Sequence, residues 1–439
     1  MPLRIAFVSL HTSPATLPGS GDAGGLNVVE RATADALAGL GHSVDLITRR
    51  AAADDPDAVE LAPGVTLRHV SAGPAEPLAK SRIDEFIPEF SAGLASLGPY
   101  DIVHSHHWMS GVAALPHARA WGVPHVQSYH SVAALPGSPL AAGEPPESPA
   151  RIPGEALVAR ESQAVVAISA AEAQTVIERC GADPERVCVI SPGVDHDLFR
   201  PLLPGEDPWP RELREILWPA MRTVPAQAGT TPSPQTGGLS PVSVPGGGAA
   251  LPRGFVLFAA RLQPLKGPDL AIRAMAAVDP AIRPHLVVAG DVSADFAAFE
   301  AKLLALVDEL GLAGEVSFVG PQPRAALAAL MRSARLVLVP SHSETFGLVA
   351  LEAASSGTPV IAAAAGGLRE AVAHGVTGQL MDSREPRDWA DSITALLTDP
   401  DRLARKGVVS RVHARRFVWT WAAARLAAVY QDLIGRSPQ

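Results

Sequence analysis

Short β-branched runs alternate along this chain with Ala- and Leu-rich stretches of helical spacing, and the alternation occurs in two successive series. A parallel strand can be reached only by a crossover, usually a helix, so this pattern predicts βαβ units and parallel sheets. The first series runs through RIAFVSL (4–10), 42–49, 100–106, 125–130, 164–169 and 186–191. The second starts at GFVLFAAR (254–261) and continues through 285–290, 316–320, 336–341 and 359–363. In the first helix, 27–42, the spacing puts Val28, Ala32, Ala36 and Leu40 on one face, and Gly39 and Gly41 mark its end. The expected fold is α/β, with two doubly wound Rossmann-like domains facing each other across a cleft. The expected boundaries are an N-terminal domain over 1–200, a Pro/Gly-rich flexible insertion over 201–253 and a C-terminal domain over 254–414. The stretch 224–254 carries Pro, Gly, Ser and Thr without an apolar period. The last helix, 417–435 within 415–439, is expected to pack back on the first domain with Trp419, Trp421 and Tyr430 as core aromatics.

Hydrophobic residues make up 47% and charged residues 18% of the 439 positions, a globular balance. The net charge of −9 and the scatter of basic residues argue against a general nucleic-acid binder. No apolar run approaches the roughly 18 residues of a membrane span, and the N-terminal run 5–10 is too short for a signal peptide. Cys180 and Cys188 give neither a disulfide framework nor zinc spacing. A soluble, cytoplasmic protein is expected, and a homodimer is left open.

The stretch PGSGDAGGLN (18–27) contains a literal G-x-G-x-x-G at Gly19, Gly21 and Gly24. A dinucleotide fingerprint needs its first glycine directly after strand one, but residues 11–18 intervene here. The acidic residue that should close strand two is also missing, since that strand ends in Thr48-Arg49-Arg50. Arg49 and Arg50 keep an NADP-dependent oxidoreductase as an alternative. The pair Gly24-Gly25 opening a helix at the carboxyl end of strand one offers close backbone approach and positive potential to an anion.

In the second series, Arg261 and Lys266 follow a strand in ARLQPLKGPDL, where two cations beside a helix start suit a diphosphate. VPSHSETFGLVALEA places Glu344 before a helix and Glu352 eight positions on, while the Phe346, Gly347 and Leu348 amides sit at the helix mouth. Carboxylates suit sugar and ribose hydroxyls rather than phosphate.

Gly24-Gly25, Arg261-x4-Lys266 and Glu344-x7-Glu352, with GGLREAV (366–372) and RFVWTWAA (416–423), resemble the family-four retaining glycosyltransferases of the GT-B fold. The resemblance covers nearly all of the chain outside 201–253. It implies that a sugar moves from a nucleotide-sugar donor, UDP-GlcNAc-like, to a small polar acceptor such as an inositol phosphate, with no cofactor and no metal. Arg261 and Lys266 would neutralise the departing diphosphate. Glu344 would hold donor-sugar hydroxyls, Glu352 the ribose, and His130 of SYHS the donor sugar, with Gly25, Phe346, Gly347 and Leu348 completing the donor site. Lys80, His107, Ser131 and Arg151 would bind an acceptor phosphate, and Asn27 the acceptor ring. His107 and Ser131 stand where the family pattern has tyrosine and threonine, which leaves open a paralogue using another donor, such as a GDP-sugar, and another O- or S-linked acceptor. The implied general base is the donor phosphate itself.

Asp195-His-Asp197 supplies a literal Asp-x-Asp, but at a strand-to-linker junction, where an interdomain hinge is expected instead. His104, His106 and His107 invite a zinc reading that no neighbouring Cys or His pair completes, so a polar cleft loop is expected. A non-catalytic nucleotide-sugar binder is a further alternative.

Overall fold

The computed structural model describes the chain except for residues 21–22, 135–147, 208–212, 218–252, 293 and 437–439. An eight-stranded sheet forms the front lobe from β1 (Arg4–Ser9), β2 (Ser43–Arg49), β3 (Ala58–Ala62), β4 (Val65–Val70), β5 (Ile102–His106), β6 (His125–Ser128), β7 (Ala164–Ala167) and β8 (Val187–Val189). A six-stranded sheet forms the rear lobe from β9 (Phe255–Ala259), β10 (His285–Ala289), β11 (Val316–Gly320), β12 (Leu336–Val339), β13 (Val360–Ala363) and β14 (Gly378–Met381). Every pairing is parallel except β3 with β4. Strands buried on both faces must be apolar throughout, as β9 and β12 are, and each sheet separates two apolar clusters.

Strand order fixes where a ligand can sit. The front sheet runs β3-β4-β2-β1-β5-β6-β7-β8, and the rear sheet β11-β10-β9-β12-β13-β14. The winding reverses between β1 and β5 in front and between β9 and β12 behind. At such a switch point the flanking loops diverge and open a crevice at the strands' carboxyl ends.

Several local expectations are corrected. The helix Gly25–Gly39 buries Asn27, Val29, Glu30, Thr33, Ala34 and Leu37 rather than the face through Val28, Ala32, Ala36 and Leu40. Its buried stripe is set by two partners, the sheet below and the C-terminal helix alongside, so it turns away from the single apolar row. That C-terminal helix, Trp419–Arg436, does return to the front lobe, where Ala422, Ala423, Leu426, Ala427 and Tyr430 join the same cluster as Ala34 and Leu37. Trp421, in contrast, is 54% exposed, with the Arg425 guanidinium 5.0 Å over its ring. Within 201–253, Leu213 and Leu217 are buried in the rear-lobe core beside Phe199, while 218–252 lie outside the described residues.

At the junction, Asp195 Oδ1 accepts from the Asp197 and Leu198 amides at 3.1 and 3.0 Å. His196 bridges Ser355 Oγ at 2.9 Å and the Phe417 carbonyl at 3.1 Å. Asp195 thus caps its own turn, and His196 ties the crossover segments together. No helix among the described residues is long and apolar enough to cross a membrane.

Candidate active site in the cleft

The carboxyl ends of β1, β5 and β6 in front face those of β9, β10 and β12 behind, and a cavity of about 290 Å3 lies between them. Front-lobe Gly24 and Gly25 meet the rear lobe directly. A Cβ at Gly24 would lie 3.5 Å from Arg261 Nε, and one at Gly25 3.5 Å from Leu348 Cδ1. Hydrogen bonds among the described residues also join the lobes: Asp291 N to the Gly19 carbonyl at 3.1 Å, Ser81 Oγ to Asp295 Oδ1 at 2.6 Å, Thr345 Oγ1 to the His130 carbonyl at 3.1 Å, and the Ala170 amide to Glu370 Oε1 at 2.8 Å.

Behind the cleft, Lys266 follows β9 and Glu344 follows β12, so the switch point brings them together. Lys266 Nζ is 2.7 Å from Glu344 Oε2, which also accepts from Ser341 Oγ at 3.2 Å. Arg261 lines the same wall. The helix Leu348–Ser355 starts after Gly347, whose φ of 104° suits glycine, and its first-turn amides have no carbonyl within the helix to bond. Phe346, Gly347 and Leu348 all line the cavity.

Glu352 lies one turn further on, 3% exposed, with Oε1 2.7 Å from Arg324 Nη1. Burial pushes its carboxyl up, and the Arg324 charge partly opposes that. Arg324 itself, stacked 4.8 Å over Phe199, has no counterpart in the sequence reading. Its only signal was a basic residue opening a helix after β11, and that gains meaning only once β11 is known to sit in this sheet.

His130 lines the cavity from the end of β6, with a φ of 58°. Its Nε2 lies 2.9 Å from His106 Nδ1, and the two rings stack at 5.2 Å. Burial lowers its pKa to about 3, so it acts as a neutral imidazole. His104 and His106 do not form a loop: they lie inside β5, 1% and 2% exposed. His104 is stacked on His106 at 4.5 Å and bonded through Nδ1 to Tyr430 Oη at 2.5 Å.

On the acceptor side Lys80, His107 and Ser131 line the cavity, together with His11, which the sequence reading did not select. Two expected contacts stand behind the wall instead. Asn27 Oδ1 accepts from the Gly24 amide at 2.8 Å, while Nδ2 donates to Thr12 Oγ1 at 2.8 Å and the Ser13 carbonyl at 2.7 Å. That side chain braces the glycine loop. Arg151 is 1% exposed, with Nε donating to Glu155 Oε1 at 2.8 Å and Nη2 to Ser131 Oγ at 3.2 Å. Burial this deep demands that its charge be compensated within the fold.

Gly290, at the end of β10, has a φ of 143°, and a Cβ there would fall 1.9 Å from the Ala260 carbonyl. Gly290→Ala should therefore force β9 and β10 apart just before Arg261. A cost of about 3 kcal/mol implies a melting temperature about 6–12 °C lower, together with weakened nucleotide binding. Thermal melts with and without UDP would measure both.

Two family models match the chain: "Glycosyl transferase 4-like domain" over 24–193 and "Glycosyl transferases group 1" over 247–408. The D-inositol 3-phosphate glycosyltransferase of Thermobispora bispora is 41% identical, with 99% of this chain and 95% of that protein aligned. That of Mycobacterium tuberculosis is 40% identical, over 99% of this chain and 84% of the other. The chain belongs to this glycosyltransferase family. Among solved structures, sucrose-phosphate synthase of Thermosynechococcus elongatus superposes with a TM-score of 0.82 at 26% identity, covering 99% of this chain and 100% of that one. HepE of Anabaena, solved in complex with UDP-glucose, gives a TM-score of 0.69 at 20% identity, covering 98% and 100%, and shares the fold. As a member of this family the chain is an enzyme that transfers sugar, built on two facing lobes of the GT-B type. The alternative of an NADP-dependent oxidoreductase, kept open on Arg49 and Arg50, falls with it. Arg49 is buried and donates to the Arg50, Pro74 and Glu76 carbonyls at 2.7–2.9 Å.

Proposed function

We propose that this glycosyltransferase moves an N-acetylhexosamine-like sugar from a uridine diphosphate donor to a phosphorylated cyclitol, with retention at the anomeric carbon. The observation that carries the donor side is the Lys266–Glu344 pair at 2.7 Å, beside Arg261 and the first-turn amides of the helix Leu348–Ser355. The diphosphate would replace Glu344 as the partner of Lys266, leaving the carboxylate to accept from sugar hydroxyls. Arg261, Lys266 and the amides would then meet the charge that grows on the diphosphate as the glycosidic bond breaks, where preorganised electrostatics act most strongly. The Arg324–Glu352 pair would hold the ribose. Neutral His130, its Nε2 occupied by His106, would turn Nδ1 toward the sugar. The leaving phosphate oxygen would take the acceptor's proton, so no side-chain base is required. Charge neutralisation falls to Arg261 and Lys266 in this reading, so no metal is assigned.

The acceptor side is supported by Lys80 in the cavity wall and by the activity for which the relatives are named. A matrix of UDP-, GDP- and ADP-sugars against inositol phosphates, free inositol and other small polyols, read by mass spectrometry with chelator present, tests the proposal. The expected product is a glycosylated inositol phosphate made from a UDP-sugar. Product from a GDP-sugar alone, or only on an unphosphorylated or thiol acceptor, would replace this reading with that of a paralogue.

A further inference from the structure

The helix Gly25–Gly39 carries a carboxyl group for which the donor and acceptor contacts have no use. Glu30 is wholly buried, and neither of its oxygens has a hydrogen-bond partner among the described residues. Burying such a group is costly, so its position calls for a neighbour on which it acts. Its Oε1 lies 3.8 Å from Nδ1 of His106, the same nitrogen that stands 2.9 Å from His130 Nε2. Glu30, His106 and His130 thus form a file from the interior to the cleft. At its end His130 lines the cavity, with its Nδ1 unpartnered among the described residues.

The hydrogen bonds around this file fix where its protons sit. Ser128 Oγ donates to the Val166 carbonyl at 2.9 Å, so His104 Nε2 must donate to Ser128 Oγ, and His104 Nδ1 accepts from Tyr430 Oη. His104 therefore has both nitrogens engaged and offers none to His106, which stacks on it. Burial, with the His104 and His130 rings alongside, keeps His106 neutral, so it holds one ring proton. On Nε2 that proton would make a buried N–H without an acceptor, and Nδ1 would turn its lone pair on Glu30. On Nδ1 it completes the bond to His130 Nε2 and faces a carboxyl group that, protonated or ionised, keeps an oxygen able only to accept. His130, itself neutral, must then carry its own proton on Nδ1.

We propose that Glu30 is a positioning residue: through His106 it fixes the His130 proton on Nδ1, so that His130 presents a hydrogen-bond donor, and not a base, to the bound sugar. This rests on the reading that the cavity takes the nucleotide sugar. A hydroxyl oxygen of the donor sugar accepts that hydrogen bond. With its lone pair turned toward His106, His130 is unable to remove the acceptor's proton, which is left to the departing phosphate.

The test is nuclear magnetic resonance of the full-length protein with isotope-labelled histidine, in which protonated and bare ring nitrogens resonate far apart. His130→Gln deletes one set of signals and so identifies those of His130. The expected wild-type spectrum shows His130 protonated on Nδ1 and bare on Nε2, with and without saturating UDP. Glu30→Met removes the carboxyl group and keeps the bulk, and it should populate the opposite tautomer. It should also lower kcat/KM for a UDP-sugar about three- to tenfold, the usual contribution of one neutral hydrogen bond. Its melting temperature should not fall, because an apolar side chain replaces a buried carboxyl group without partners. Glu30→Gln, whose amide oxygen can take the place of Oε1, should keep the Nδ1–H form and recover most of that rate. Glu30→Leu gives the same readout should the methionine variant not fold. A bare Nδ1 on His130 in the wild-type spectrum, or an unchanged His130 tautomer once the carboxyl group is gone, overturns the inference. If no UDP-sugar is turned over while Glu30→Met still shifts the tautomer, Glu30 keeps its role and the proposed donor falls.

Discussion

Lys266→Ala is expected to lower kcat by about 10²–10³-fold, the usual effect of removing one group that stabilises charge in a transition state. Two losses combine in this variant. Lys266 Nζ no longer meets the departing diphosphate, and Glu344, now without the partner it holds at 2.7 Å, presents an unbalanced carboxylate to the same phosphates. The second loss makes a specific signature. Adding Glu344→Gln to Lys266→Ala removes that repulsion, so the double variant should fall less than the product of the two single effects. Lys266→Arg should keep part of the rate, since the charge remains but its geometry does not. Side chains of both residues are partly exposed, so the fold tolerates these changes and melting temperatures should stay within a few degrees. Steady-state kinetics with a UDP-sugar, reported as kcat and KM separately, measures this. A kcat within about threefold of wild type at saturating donor would remove Lys266 from the chemistry.

How much of this was readable in the chain depends on what each residue's position required. Strands such as β9 and β12 must be apolar on both faces, so they stood out as continuous runs. Lys266, Glu344 and the Gly24-Gly25 pair could be placed at the cleft because each lies between a strand's carboxyl end and the helix that follows, the edge where a parallel sheet opens its crevice. The hairpin β3–β4 and the last strand β14 were missed because β3 and β14 are half-exposed edges and β4 lies next to one, where the alternation is diluted by polar residues. Arg324 and His11 were missed for another reason. Each lies in a loop or helix start whose meaning comes from strand order, and spacing along the chain does not encode order. Asn27 and Arg151 show the remaining gap. Both residue types suited an acceptor, yet both side chains turn inward to satisfy the loop and helix that carry them.

That inward turn of Arg151 changes what its removal should do. If Arg151 touched the acceptor from an open wall, Arg151→Ala would raise the acceptor KM and leave stability alone. In this structure its guanidinium is 1% exposed and its Nε lies 2.8 Å from Glu155 Oε1, so alanine would strand a buried carboxylate. Breaking one half of a buried ion pair costs about 3–5 kcal/mol, which corresponds to a melting temperature lower by roughly 6–20 °C. Glu155 also accepts from the Ala133 amide, and Arg151 Nη2 donates to Ser131, so the cleft loop 131–133 would loosen with the helix. Activity would then fall for donor and acceptor alike, through unfolding rather than through recognition. Removing both charges separates the two effects. Arg151→Met combined with Glu155→Gln eliminates the stranded charge and should recover most of the melting temperature. What persists in that double variant should be a raised KM for the phosphorylated acceptor, about tenfold, with the donor KM little changed, because Ser131 and the local positive potential are what remain disturbed. A single Arg151→Ala enzyme that melts like wild type but loses only acceptor affinity would mean that Arg151 reaches into the cleft when substrates bind, and that its pairing with Glu155 is given up during the catalytic cycle.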